Sequence, residues 1–217
     1  MPRILLVDNN LTGGKTRELE DSLSSNGASV DVLARPRASA ELFDRFDGVV
    51  LSGSSAMLSE EGSQSAFREE VEAIRASRVP LLGVCFGHQL IGLAYGSRVV
   101  RAARPTKRYV ETEVLVWDGP FSGMPRKMSV YESHHELVDP LPDGFVLLAR
   151  SATSPVAAMR HRRLPVFGVQ FHPERNSSEN PDGDAFVRNF VRGCAGGRGA
   201  LGARIRGDRP DSRWSVA

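Results

Sequence analysis

The chain holds very little cysteine: two residues, Cys85 and Cys194, in 217. Two cysteines give no disulfide framework, so the fold must rest on a packed core, and such usage fits a reducing compartment. Long apolar runs are missing as well. None approaches the ~20 residues of a membrane span. The apolar start at 4–7 is too short for a signal peptide. These absences predict a cytoplasmic chain with no membrane partner. A basic body is also lacking. The formal net charge is +2, but from Gly196 onward five arginines stand against two aspartates, which leaves −1 for the rest. That remainder gives no case for nucleic-acid binding. Metal ligands are scarce. The pair His134-His135 has no third histidine, cysteine or aspartate at ligand spacing, so neither metal nor other cofactor is expected. Gly14-Lys15-Thr16 resembles half of a phosphate loop, but Asn9 stands where the earlier glycine is needed.

What remains is an ordinary globular composition, 41% hydrophobic and 25% charged, sized for one α/β domain with a substantial core. Strand and helix signals alternate in the first half. Strands are expected at 3–8, 29–33, 48–52 and 80–84, and helices at 16–25, 65–77 and 87–95. The pattern then changes to strands at 110–117, 128–131, 145–150, 156–160 and 165–170, joined by short turns. A last helix covers 184–191. The expected fold is α/β: a doubly wound, mostly parallel sheet flanked by helices, with a smaller antiparallel extension. One domain is expected over 1–195. The Gly/Arg-rich tail, 196–217, is expected to be mobile or to dock on a partner.

The most informative stretch is Pro80 to Leu90, in which an apolar strand runs into Gly83-Val84-Cys85-Phe86-Gly87 and then a helix. Glycine on both sides permits a sharp turn that lifts the sulfur out of the sheet. The helix behind it directs N–H groups and the positive end of its dipole at the sulfur, which favours thiolate. A second strand, Val166-Phe167-Gly168-Val169, leads to Gln170-Phe171-His172-Pro173-Glu174. It delivers His172 at the carboxyl end of the sheet, where doubly wound folds assemble their sites. His172 can take the thiol proton and later return it to a leaving amine. Glu174 can hold the far ring nitrogen. Acyl transfer also needs oxyanion donors. The turn supplies the N–H of Phe86, and the strand end Leu51-Ser52-Gly53-Ser54-Ser55 offers Gly53 or Ser54. Cys194 has no such context and reads as structural, and His88 as a polar position on the elbow helix.

With these residues in place the chain resembles the class I glutamine amidotransferases, from Arg3 to about Cys194. Three landmarks stand in order: L-S-G-S-S at 51–55, G-V-C-F-G-H-Q at 83–89 and G-V-Q-F-H-P-E at 168–174. The resemblance implies a flavodoxin-like fold and a Cys85-His172-Glu174 triad. It implies attack of Cys85 on the side-chain amide of L-glutamine, a glutamyl thioester, and release of glutamate and ammonia. Gln89 matches the family glutamine that contacts substrate. Val130-Tyr131-Glu132-Ser133-His134-His135-Glu136 is similar to the corresponding segment of GMP synthetase amidotransferases, so Ser133 and His134 are assigned to the glutamine pocket, and His134 and Glu136 also to contact with a partner subunit. Two departures stand out. Ser54-Ser55 replaces a glycine and proline, and Arg104-Pro105-Thr106-Lys107-Arg108-Tyr109 replaces a Gly-Glu-Tyr-Gly-like stretch that helps hold glutamine in that group. The chain has no room for the ammonia-using domain. It is therefore expected to be a glutaminase subunit that passes ammonia to a separate synthetase or ligase. Two alternatives share the fold: a hydrolase of γ-glutamyl amides or peptides acting alone, and a regulatory subunit without catalysis.

Overall fold

Strand alternation in the first half sorts side chains to two opposite cores. Ile4 and Leu6 point to one face of the sheet, Leu5 and Val7 to the other, and Val50 opposes Val49 and Leu51 in the same way. Both faces are thus apolar, as a sheet with helices on either side requires. The computed structural model describes residues 1–10, 16–34 and 38–196. The tail from 197 onward and the Gly14-Lys15 pair lie outside the described residues.

The element order is β1 (Arg3–Asp8), α1 (Arg17–Ser25), β2 (Ser29–Ala34), α2 (Ala40–Phe43), β3 (Gly48–Leu51), α3 (Arg68–Ala76), β4 (Leu81–Val84) and α4 (Phe86–Ala94). There follow β5 (Val99–Val114), β6 (Lys127–Val138), β7 (Phe145–Ser151), β8 (Ala158–His161), β9 (Val166–Val169) and α5 (Asp182–Ala195). Among the described residues one nine-stranded sheet forms, in the order β2-β1-β3-β4-β9-β8-β7-β5-β6. Pairing is parallel from β2 through β9 and antiparallel from β9 through β6. The expected parallel sheet with an antiparallel extension is therefore what the chain builds. Helices α1 and α5 cover one face through Leu19, Leu23, Phe186 and Phe190. Helices α2, α3 and α4 cover the other through Phe43, Ile74, Leu90 and Ile91.

Two differences from expectation affect the site. Strand β5 starts at Val99, well before the expected 110, and β6 extends to Val138. The segment 99–109 is rich in arginine and contains Pro105, so it lacks an alternating apolar signal. It is extended because it pairs with β6, with a register shift between Arg101 and Thr106 that accommodates the proline. His88, expected as a polar helix position, is fully buried instead. Its ring packs under Gly168, where a Cβ would come within 2.6 Å of Nδ1.

Candidate active site

The site starts from the turn between β4 and α4. Cys85 has φ 51° and ψ −99°, the one positive-φ residue other than glycine among the described residues. Such a conformation costs of order 1–3 kcal/mol and persists only where the surroundings impose it. The surroundings here are tight. A Cβ on Gly83 would lie 2.4 Å from the carbonyl carbon of Gly87, and one on Gly87 would lie 2.4 Å from the Leu51 carbonyl oxygen. The two glycines let α4 sit directly on β3 and β4. The Cys85 N–H donates to the Val169 carbonyl at 2.8 Å, which ties the turn to β9. As first residue of α4, Phe86 has no intrahelical carbonyl partner for its N–H. Its ring is buried against Phe67, with centroids 4.8 Å apart.

His172 follows the buried Gln170 by two residues, just past the end of β9. Its N–H donates to the Tyr131 carbonyl at 2.7 Å, so strand β6 holds it in place. His172 Nδ1 lies 2.8 Å from Glu174 Oε1. Burial disfavours a charged imidazole, but the Glu174 carboxylate and the Cys85 sulfur beside the ring override it and hold the His172 pKa well above the ordinary value. Gly53 completes the approach: a Cβ there would be 3.1 Å from His172 Cε1 and 3.8 Å from Cys85 Cβ.

Cys85, His172, Glu174, Gly53, Ser54 and Ser133 line one cavity of about 260 Å³. A second cavity, of about 350 Å³, opens from the same sulfur and is lined by Gln89, Ser133, His134 and Glu136 among others. The structure thus brings every residue assigned from sequence to the Cys85 surroundings. Arg104 and Arg108, in the segment that replaces a glutamine-holding stretch, line neither cavity.

The wall of the second cavity is strand β6, and its chemistry goes beyond what the sequence pattern predicts. The Ser133 carbonyl oxygen is 3.5 Å from Cys85 Sγ. Gln170, not singled out from sequence, donates its amide to the same sulfur at 3.6 Å and accepts from Gln89 at 3.4 Å. The Gln89 amide also donates to the Glu136 carbonyl at 2.9 Å. His134 and Glu136 do not reach outward to a partner; both are buried. His134 Nε2 is 2.8 Å from Glu132 Oε2, whose carboxylate also accepts from Ser151 and Thr153. Burial raises the Glu132 pKa, and these donors more than offset that, leaving it below the ordinary carboxylate range. The Glu136 carboxylate accepts from the N–H groups of Leu58 and Ser59 at 2.7 and 2.8 Å. It clamps the loop that follows Gly53 and Ser54. At the other end of that loop, Ser52 accepts from the Asn9 N–H at 2.9 Å and its carbonyl from the Asn9 amide at 3.1 Å.

A strained cysteine at a helix start beside a carboxylate-held histidine is chemically able to serve as a nucleophile with an acid–base partner. The sequence model of the class I glutamine amidotransferases matches residues 5–194. The chain belongs to that family. A glutamine-hydrolysing GMP synthase subunit of Thermococcus kodakarensis is 44% identical over 147 residues, covering 68% of this chain and 75% of its own. The Methanopyrus kandleri protein of the same name is 36% identical over 193 residues, 88% of this chain and 98% of its own. A solved GMP synthase subunit of Thermoplasma acidophilum superposes with a TM-score of 0.80 at 31% identity, covering 90% of this amidotransferase and 95% of that chain. A glutamine amidotransferase of Thermotoga maritima shares the fold, with a TM-score of 0.66 at 22% identity over 80% of this chain and 76% of its own. Among the described residues, no helix of this amidotransferase is long and apolar enough to cross a membrane, and no three histidine, cysteine, aspartate or glutamate side chains are grouped to hold a metal ion.

Proposed function

We propose that this chain is the glutamine-hydrolysing subunit of a two-subunit GMP synthetase, with Cys85, His172 and Glu174 as its catalytic residues. The observation that carries the assignment is His172: bonded to Glu174 through Nδ1 and biased toward its charged form by both Glu174 and Cys85. An imidazolium beside the sulfur stabilises a thiolate nucleophile. Cys85 Sγ forms a bond to the side-chain amide carbon of glutamine, and the carbonyl pair moves onto oxygen. The N–H of Phe86, with that of Gly53 or Ser54, stabilises that oxyanion. Collapse breaks the C–N bond, and the proton from His172 leaves with ammonia. His172, now neutral, takes a proton from water, whose oxygen attacks the thioester. Glutamate departs and the thiolate–imidazolium pair returns. Glu174 keeps the ring oriented throughout. Gln89, Ser133 and His134 form the substrate wall.

The ammonia acceptor would be a separate synthetase protein, since the relatives are themselves named as one subunit of a GMP synthase. The pair would work in the cytoplasm, without nucleic acid or membrane as partner. The domain of 1–195 would carry the chemistry and the segment 196–217 would add nothing to it. The deciding experiment measures ammonia release from L-glutamine by wild type and Cys85→Ala, with a γ-glutamyl peptide as second substrate. We expect turnover of glutamine to fall about 10³-fold or more in Cys85→Ala, with an unchanged melting temperature. Equal activity in both proteins would sink the triad, and preferred turnover of the peptide would replace the glutamine reading.

A further inference from the structure

The ribbon of β5 and β6 carries charge that the triad leaves unexplained. From Arg98 to Tyr109 there are five cations, Arg98, Arg101, Arg104, Lys107 and Arg108, and no acid. The exposed acids nearby are already matched: Glu60 with Arg101, Glu111 with Lys127, and Glu113 with both Arg126 and Arg150. Arg104 and Arg108 have no ion-pair partner among the described residues. Both line a cleft of about 480 Å³, together with Thr106, Leu137, Thr153 and Pro155.

Three features define what would fit there. The two uncompensated guanidiniums favour carboxylates. The apolar surface of Leu137 and Pro155, and the size of the cleft, suit a polypeptide segment better than a single small anion. Part of the backbone is also available: β5 pairs with β7 only at Thr112 to Val114, so Thr106 to Glu111 pair with β6 alone and present an open edge to an added strand, while the register shift between Arg101 and Thr106 leaves residues 102–105 outside the ladder. The cleft is also close to the chemistry. Arg108 pairs across the ribbon with Glu132 and Thr106 with His134. Thr153 on the opposite wall donates to the same Glu132 oxygen that holds His134. Ser133, between them, is the residue whose carbonyl touches Cys85 Sγ.

We propose that this cleft receives an extended acidic segment of the ammonia-accepting synthetase subunit, held by Arg104 and Arg108. The proposal rests on the two-subunit reading given above. The test mixes the full chain with the synthetase subunit of the same organism's GMP synthetase and measures binding and glutamine hydrolysis, at low and at raised sodium chloride. Wild type should bind, be stimulated, and lose affinity with salt. Arg104→Glu/Arg108→Glu should weaken binding by about tenfold or more and lose stimulation, with hydrolysis by the isolated chain unchanged. Arg104→Lys/Arg108→Lys should fall between the two. A wild type that neither binds nor responds would overturn the two-subunit reading and the cleft with it. A wild type that is stimulated, alongside a double-glutamate variant stimulated equally, would overturn the cleft assignment alone. The same holds if that variant binds normally but self-associates, because the cations would then only guard an open edge.

Discussion

The two sides of the Cys85 cavity are built by different means. The β4–α4 turn is fixed by backbone fit over five consecutive residues, with two glycines that admit no side chain. The β6 wall is fixed by long-range polar contacts: Glu132 with Ser151 and Thr153, Glu136 with Leu58 and Ser59, and His134 with Glu132. The first presents the Cys85 sulfur, proposed above as the nucleophile, and the second shapes the cavity beside it, proposed above to hold substrate. Backbone fit is intolerant of change in volume. A polar wall is intolerant of lost hydrogen bonds, even where the substitution preserves volume. The two regions should therefore fail differently.

The largest effect on the fold is expected from Gly87→Ala. Its Cβ would lie 2.4 Å from the Leu51 carbonyl oxygen and 2.7 Å from Leu51 Cβ. Neither contact can yield by rotating a flexible side chain, so α4 must move off β3. Overpacking of this kind costs typically ~1–3 kcal/mol, and more where backbone is struck. Thermal unfolding should show a drop of several degrees, and glutamine hydrolysis should fall with it because the same shift displaces Cys85. A variant as stable and active as wild type would mean that the turn is held by something other than this fit.

Glu174→Gln tests the acid–base half of the same side. The amide preserves size and can still accept from Nδ1–H, but it removes a charge that raises the His172 pKa. Burial, which lowers it, remains. The sign follows: His172 loses its proton at lower pH in the variant, so the alkaline limb of kcat/KM moves to lower pH. We expect a loss of about ten- to a hundredfold in kcat near neutrality and little change in KM. An unmoved alkaline limb would remove Glu174 from the mechanism.

The elbow was legible from sequence because all of its determinants are local. Gly83, Cys85 and Gly87 are close neighbours in the chain, and the apolar strand before them identifies the turn type. His172 and Glu174 were legible for the same reason, since a short buried strand must end somewhere. The wall was not. Glu132, His134 and Glu136 alternate along β6, and polar residues at alternate positions read as a solvated face or a partner surface. Only the register of β5 against β6, and the return of the 54–59 loop over it, turns that face inward. Nothing near residue 136 announces that Leu58 and Ser59 will donate to it. Likewise, the extended conformation of 99–109 follows from its pairing and not from its composition.

Glu136→Gln separates the wall from the elbow. One of the two clamped N–H groups would face an NH2 in place of an oxygen, and an unsatisfied buried donor costs ~1–3 kcal/mol. The loop bearing Gly53 and Ser54 should loosen. The expected signature is a KM for glutamine raised several-fold with kcat nearly preserved, opposite to Glu174→Gln. Steady-state kinetics of the two variants side by side would show whether positioning and chemistry divide between the two regions as the hydrogen bonds suggest.

The smallest effect lies beneath both regions, at His88, which sits on α4 with its ring against Gly168 of β9. Burial drives its pKa down to about 3, against backbone contacts with Val156 and Gly168 that raise it. The folded protein therefore keeps His88 neutral at pH values where the unfolded chain, near 6.5, takes up a proton. The unfolded state binds more protons between those two values, so stability is full above about pH 6.5 and declines as pH falls toward 3, by at most about 1.4 kcal/mol per pH unit. His172 contributes with the opposite sign, since its raised pKa favours the fold until pH climbs through the folded value. His88→Gln removes only the first contribution. Its melting temperature, whatever its level at pH 7, should fall less steeply than that of wild type between pH 6.5 and 5. Parallel slopes would show that the imidazole under Gly168 accepts a proton in the folded state, and hence that the seam between α4 and β9 is wetter than its burial implies.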